Sequence, residues 1–173
     1  GQMIDISMQD CVFAITVAEL AGTYFLKNES PKRHGNHHPF NVPFGTFPAK
    51  DGYVVICTNR LKFDDFLRTI GREDLVGDQR YAAAAERVKR KHEVIALVEK
   101  WTEARTVEEI LTTLKNARIP CSPVPTYDEV VHDPQLLARE MIIEIEQPLS
   151  GKLRTVGSVY KMSKTPGGLK VPA

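Results

Sequence analysis

A 173-residue chain with 42% hydrophobic and 26% charged residues has the composition of a folded globular domain, which excludes general disorder. Its 23 Lys and Arg against 22 Asp and Glu leave a formal charge of +1, so no global field draws in nucleic acid or an anionic membrane. Cys11, Cys57 and Cys121 are far apart, odd in number and without metal-ligand spacing, as expected for reduced thiols of a cytoplasmic protein. The most apolar stretch, residues 11–26, is interrupted by Glu19 and is too short to span a bilayer. No basic region precedes an apolar run, so no signal peptide is read, and the opening Gly1-Gln2 has the look of a cut end.

In chain order, Met3 to Ile6 alternates apolar and polar residues, which predicts a short strand. Ser7 or Asp10 then caps a helix predicted over residues 8–26, apolar nearly all round and so expected to be buried. Residues 27–43 contain Pro31, Gly35, Pro39 and Pro43 and read as a linker or functional loop between two packed units. Residues 46–48 and 53–58 flank the turn dipeptide Asp51-Gly52, a hairpin signal.

Three amphipathic helices follow, carried by Phe63, Phe66, Leu67 and Ile70, by Val94, Leu97, Val98 and Trp101, and by Val107, Ile110, Leu111 and Leu114. Thr106 with Glu109 and Thr126 with Glu129 have the spacing of capping boxes. Asp133-Pro134 predicts a helix start running to about Glu140. Residues 141–146 and 153–156 read as strands around a turn at 148–151, and the Pro/Gly-rich tail from Thr165 to Ala173 as extended. The pattern predicts a mixed α/β fold, compact from about Phe44 to Ile145, whose end elements belong to something else.

The chemistry begins with exclusions. No glycine-rich loop has dinucleotide or Walker spacing, and no His-x-x-x-His or Cys-x-x-Cys pair points to zinc. The most unusual local feature is His34, Gly35, Asn36, His37, His38 and Pro39. It reads either as a substrate-facing loop or as a plain polar interdomain loop, and adjacent His37 and His38 diverge too far to chelate one metal together. The basic run Arg87, Lys89, Arg90 and Lys91 is flanked by Glu86 and Glu93 and lacks interleaved aromatics, so it reads as a solvated stretch opening a helix. Cys121, in Ile119-Pro120-Cys121-Ser122-Pro123-Val124, reads as a small residue in a short buried strand, since no base or electropositive neighbour activates it. Asp128 and Glu129 supply negative charge to a helix N-terminus more simply than they form an acid/base set with His132.

Several motifs then stand in a telling order. Residues 1–10, then Gly35-Asn36-His37-His38-Pro39, Pro43-Phe44-Gly45-Thr46-Phe47 and Asp51-Gly52 come first. Ile119 to Val124, Glu129-Val130, His132-Asp133-Pro134-Gln135, Arg139-Glu140-Met141, Gly157 and residues 161–166 follow. Together they resemble family III CoA-transferases, the group also named for L-carnitine dehydratase and bile-acid-inducible protein F. The resemblance covers essentially the whole chain.

The resemblance implies an α+β small domain at 44–146, a strand and helix of a large domain at 1–30, a linker at 31–43, and a return segment at 147–173. It implies CoA transfer between an acyl-CoA and a carboxylic acid acceptor through an aspartyl-CoA intermediate, with no permanently bound cofactor. The catalytic aspartate would lie upstream of Gly1, so no residue here inherits a catalytic role and the chain alone is expected to be inactive. The family assembly implied is an interlocked homodimer. Met8 matches a methionine lining the CoA pocket of formyl-CoA-transferring members, although it reads equally as a buried helix residue. Gly35 to Pro39 stands where those members carry a glycine-rich lid, and its single Gly and two His argue against formyl-CoA and oxalate. An α-methylacyl-CoA racemase, which shares the fold, and a non-catalytic interaction module remain alternatives.

Overall fold

The computed structural model describes residues 3–17, 20–58 and 63–167. Gly1, Gln2 and the end of the expected tail, 168–173, lie outside the described residues, as do positions 18–19 of the long predicted helix.

The centre of the molecule is a three-stranded antiparallel sheet in the order β1-β2-β3, made of Phe44–Ala49, Gly52–Cys57 and Cys121–Pro123. The register Ala49↔Gly52 leaves Lys50 and Asp51 as a two-residue turn, so Gly52 opens β2 instead of sitting in the turn. The inward alternation places Phe47, Val54 and Ile56 in the core. Against it pack α2 (Phe63–Thr69), α5 (Lys91–Thr102) and α6 (Val107–Asn116), with α5 on β1 and α6 on β2 and β3. Short helices α3 (Gln79–Ala82) and α4 (Ala84–Lys89) connect them. The helical stripes read from spacing are the buried ones: Phe63, Phe66, Leu67 and Ile70; Val94, Val98 and Trp101; Ile110 and Leu114. Each such side chain is worth roughly 1.5–3 kcal/mol on leaving water, which holds the helices on the sheet.

Both capping boxes form. Glu109 N donates to Thr106 Oγ1 and Thr106 N to Glu109 Oε2, at 3.3 and 2.8 Å, and Thr126 with Glu129 repeats the pattern. Asp133 caps α8 (Pro134–Ala138), which is shorter than expected because Arg139 leaves helical geometry. Between them, α7 is Tyr127–Val130. A separate hairpin, β4 (Ile142–Gln147) with β5 (Gly151–Val156), matches the two predicted strands. The buried hydrophobic cluster runs from Val42 to Ile119, so the continuous core ends before this hairpin.

Four expectations are corrected. Met3 to Ile6 forms no strand, since alternation without a partner strand gives no ladder. The helix expected over 8–26 is present as α1 (Met8–Ile15), capped by Ser7, and a π-helical segment, Leu20–Phe25, that stays helical over 26–27, and it is its burial that is corrected. Thr16 ends α1, its hydroxyl donating to Phe13 O at 2.7 Å. Its apolar faces are not buried: Met8 is 85% exposed, and Val12, Phe13 and Ile15 face solvent as well. Third, β3 is an edge strand rather than a buried one, with Cys121 half-buried and Ser122 and Pro123 exposed. Fourth, Arg87 leaves the solvated run altogether and is 1% exposed, the largest fully buried side chain. Charge density alone does not reveal a cation that folds back on the carbonyls of Tyr81 and Ala82 and reaches that of Val42, 45 residues away.

Candidate functional site

The loop from His34 to Val42 is anchored from both ends. On one side His37 bridges to Gly45, Thr46 N donates to Asn36 O at 3.2 Å, and His38 N donates to Phe44 O at 2.8 Å. The approach is so close that a Cβ at Gly45 would collide with the His37 ring and the Asn36 carbonyl, which is why glycine stands there. On the other side Thr58, fully buried, gives both its backbone N–H and its hydroxyl to Pro43 O at 3.0 and 3.2 Å. Arg87 Nε donates to Val42 O, and its guanidinium lies 4.6 Å from the Phe63 ring centroid.

Within the loop the two histidines diverge, as expected. The His37 ring tilts against Phe47, 5.1 Å between centroids, and its Nδ1 is buried without a hydrogen-bond partner. Burial therefore lowers its pKa first; Glu99 opposes that and Lys91 adds to it. His38 is exposed and stacks flat on Phe44, 5.2 Å between centroids with an 8° interplanar angle. Its Nδ1 accepts from both Phe40 N and Asn41 N at 3.1 Å. Gly35 takes a left-handed φ of +66°, turning the chain into this arrangement.

A cavity of about 230 Å³ opens beside the loop, lined by Thr23, Glu29, Lys32, His34, His38 and Phe40 among others. His38 and Pro39 of the expected substrate-facing loop are thus on its wall, while His37 is turned toward the sheet. Gly35 and Asn36 shape the loop without lining this cavity. Met8 lies on the exposed α1 and is not among the lining residues. Lys32, Glu29 and Thr23 were not singled out from sequence; only the breaker-rich composition of 27–43 hinted at a built loop.

The other candidates resolve simply. Cys57 and Cys121 have thiols pushed up by burial, which keeps them protonated rather than nucleophilic. His132 Nδ1 lies 2.7 Å from Asp128 O, a local backbone contact rather than an acid/base pair. No group of three or more metal-ligating side chains gathers among the described residues, and no helix there is long and apolar enough to cross a membrane.

Known proteins resemble this chain. The model of "CoA-transferase family III" matches residues 1–173. A succinyl-CoA:mesaconate CoA-transferase of Haloarcula marismortui is 32% identical over 173 residues, covering 97% of this chain and 43% of its own. A succinate–glutarate CoA-transferase of Agrobacterium fabrum is 28% identical over 167 residues, 96% of this chain and 42% of its own. A formyl-CoA:oxalate CoA-transferase of Rhodopseudomonas palustris is 26% identical over 189 residues, covering 96% and 44%. The crystal structure of a CaiB/BaiF family protein from Brucella suis superposes with a TM-score of 0.72 at 30% identity, over 96% of this chain and 43% of that one. The chain thus spans less than half the length of these relatives. Matched from end to end in sequence and in fold, it belongs to CoA-transferase family III.

Proposed function

We propose that this chain is the small-domain part of an enzyme that moves CoA between dicarboxylic acids, with succinyl-CoA as donor. One observation favours the longer, C4 and C5 dicarboxylic acids over formyl-CoA and oxalate. Relatives named for mesaconate and glutarate match over 173 and 167 residues, close to this chain's own length, whereas the formyl-CoA:oxalate relative matches over 189 and so carries extra residues inside the matched region.

In this reading an upstream aspartate attacks the acyl-CoA carbonyl, forming a mixed anhydride and expelling CoA thiolate. The thiolate re-attacks the aspartyl carbonyl and releases the donor acid, leaving an aspartyl-CoA thioester. The acceptor carboxylate attacks this thioester, expels the thiolate, and is itself attacked at its activated carbonyl, restoring the aspartate. The segment contributes the Gly35–Pro39 loop as a substrate-facing wall and Met8 as a contact of the CoA pocket. Residues 1–30 and 147–173 pack on the large domain, and the parent is an interlocked cytoplasmic homodimer with no resident cofactor.

The test is the full-length protein incubated with succinyl-CoA and a panel of acids, read by mass spectrometry. New acyl-CoA formation with mesaconate or glutarate is expected. Epimerisation of a 2-methylacyl-CoA without exchange would establish the racemase alternative instead.

A further inference from the structure

The cavity beside the His34–Val42 loop has a feature that the family likeness does not assign. His38 Nδ1 accepts two backbone hydrogen bonds, from Phe40 N and Asn41 N, both at 3.1 Å. An imidazole nitrogen that accepts carries no proton, so the ring proton of His38 sits on Nε2. The ring is held flat against Phe44, and its backbone N–H is committed to Phe44 O. Position, tautomer and plane are therefore all set by the loop, while the exposed His38 lines the cavity with Nε2–H as its remaining donor. Lys32, a cation, and Glu29, an anion, are also among its lining residues. Thr23, 8% exposed, is the buried member of the lining.

Resting on the dicarboxylate reading above, we infer that His38 Nε2–H and Lys32 Nζ bind the distal, non-reacting carboxylate of the acid. A cation and an oriented N–H together give charge-assisted hydrogen bonds to two carboxylate oxygens. An acid lacking that carboxylate leaves the pair without its partner, so the site discriminates chain-end charge. His38 acts as a specificity residue.

The turn itself supplies a clean variant. Asparagine favours this same turn, its side-chain oxygen accepting from backbone N–H groups further along the chain, so His38→Asn keeps the loop brace and removes the Nε2–H. In the full-length protein, the preference for glutarate over butyrate as acceptor, taken as a ratio of kcat/KM values, should fall about tenfold in H38N and in K32M. It should rise in E29Q, which removes the opposing charge. Equal weakening of both acids would overturn the assignment. So would a change confined to the KM for CoA, which would place a CoA phosphate at the cavity. If H38N fails to fold, K32M and E29Q decide by their opposite signs. Should the wild-type protein transfer no CoA, the transferase reading falls by itself. Calorimetric titration of succinate then tests the site alone: binding weakened in H38N supports it, and no binding by wild type refutes it.

Discussion

Arg87 Nε donates to the carbonyl of Val42 at 3.0 Å, joining residues 45 positions apart. The same guanidinium donates through Nη1 to Tyr81 O at 2.7 Å and Ala82 O at 3.1 Å. One fully buried cation thus ties α3, α4 and the base of the histidine loop into one unit. Removing it leaves the buried carbonyls of Val42 and Tyr81 short of a donor, at about 1–3 kcal/mol for each, while the more exposed Ala82 carbonyl can turn to water.

Arg87→Ala should therefore cost at least ~2 kcal/mol, and Arg87→Lys should recover less than half, because an ammonium cannot present the same planar fork. Denaturant titration checks both. A loss under 1 kcal/mol in either variant would mean that the buried guanidinium is not the tie described.

The Asp51 carboxylate, in the first hairpin turn, accepts from Val107 N at 2.8 Å and so caps α6 from across the molecule. Asp51→Ala should cost about 1 kcal/mol, comparable with loss of the local cap in Thr106→Ala. Because both act on one helix end, the double variant should lose less or more than the simple sum, which a double-mutant cycle measures.

Gly45→Ala should push the His37 ring and the Asn36 carbonyl apart from β1, at roughly 1–3 kcal/mol. Gly157→Ala meets the Glu140 carbonyl and should disturb the β4–β5 hairpin without moving the central sheet. Amide chemical shifts distinguish the two: the first perturbs residues 36–47, the second residues 140–157.

Acid should act in two stages. Burial holds the pKa of His37 below its ordinary 6.5 in the folded state, so between the two values the unfolded chain binds more protons and stability falls as pH drops through the unfolded value. Glu109 and Glu129 are held below their ordinary 4.5, chiefly by the cap N–H groups of Thr106 and Thr126. Their contribution is present above that value and is lost as pH falls from it toward the folded pKa. Melting temperatures across pH 3 to 8 should show both declines, and His37→Phe should remove the upper one.

Hydrogen exchange should separate the ends from the centre. α5 buries Val94, Val98 and Trp101 and should be strongly protected, whereas α1, with Met8, Val12, Phe13 and Ile15 exposed, should exchange quickly in this chain. In the full-length protein α1 should become protected if it packs on a large domain. Equal, concentration-independent protection of both helices in the isolated chain would contradict that assignment.

Much of this fold was legible in the amino-acid order because it is local. Capping boxes at Thr106 and Thr126, the proline-led α8, the two hairpins and three helical stripes all depend on partners within a few positions. α1 was legible in part: its apolar faces read as buried, the order of motifs assigned it to a large domain, and no described residue here covers it. Arg87 was misread for the complementary reason, since its carbonyl partner at Val42 lies 45 residues away. The histidine loop divides the same way. Its unusual composition marked the place, and the order of motifs marked the family. Only the tertiary structure turned His37 toward the sheet, fixed the His38 tautomer through two loop N–H groups, and brought Lys32, Glu29 and Thr23 to one cavity. The His38 brace is local, two and three residues along the chain, but which way each ring turns depends on Phe44 and Phe47 of β1, and a ring contact of that kind has no sequence spacing by which to be read.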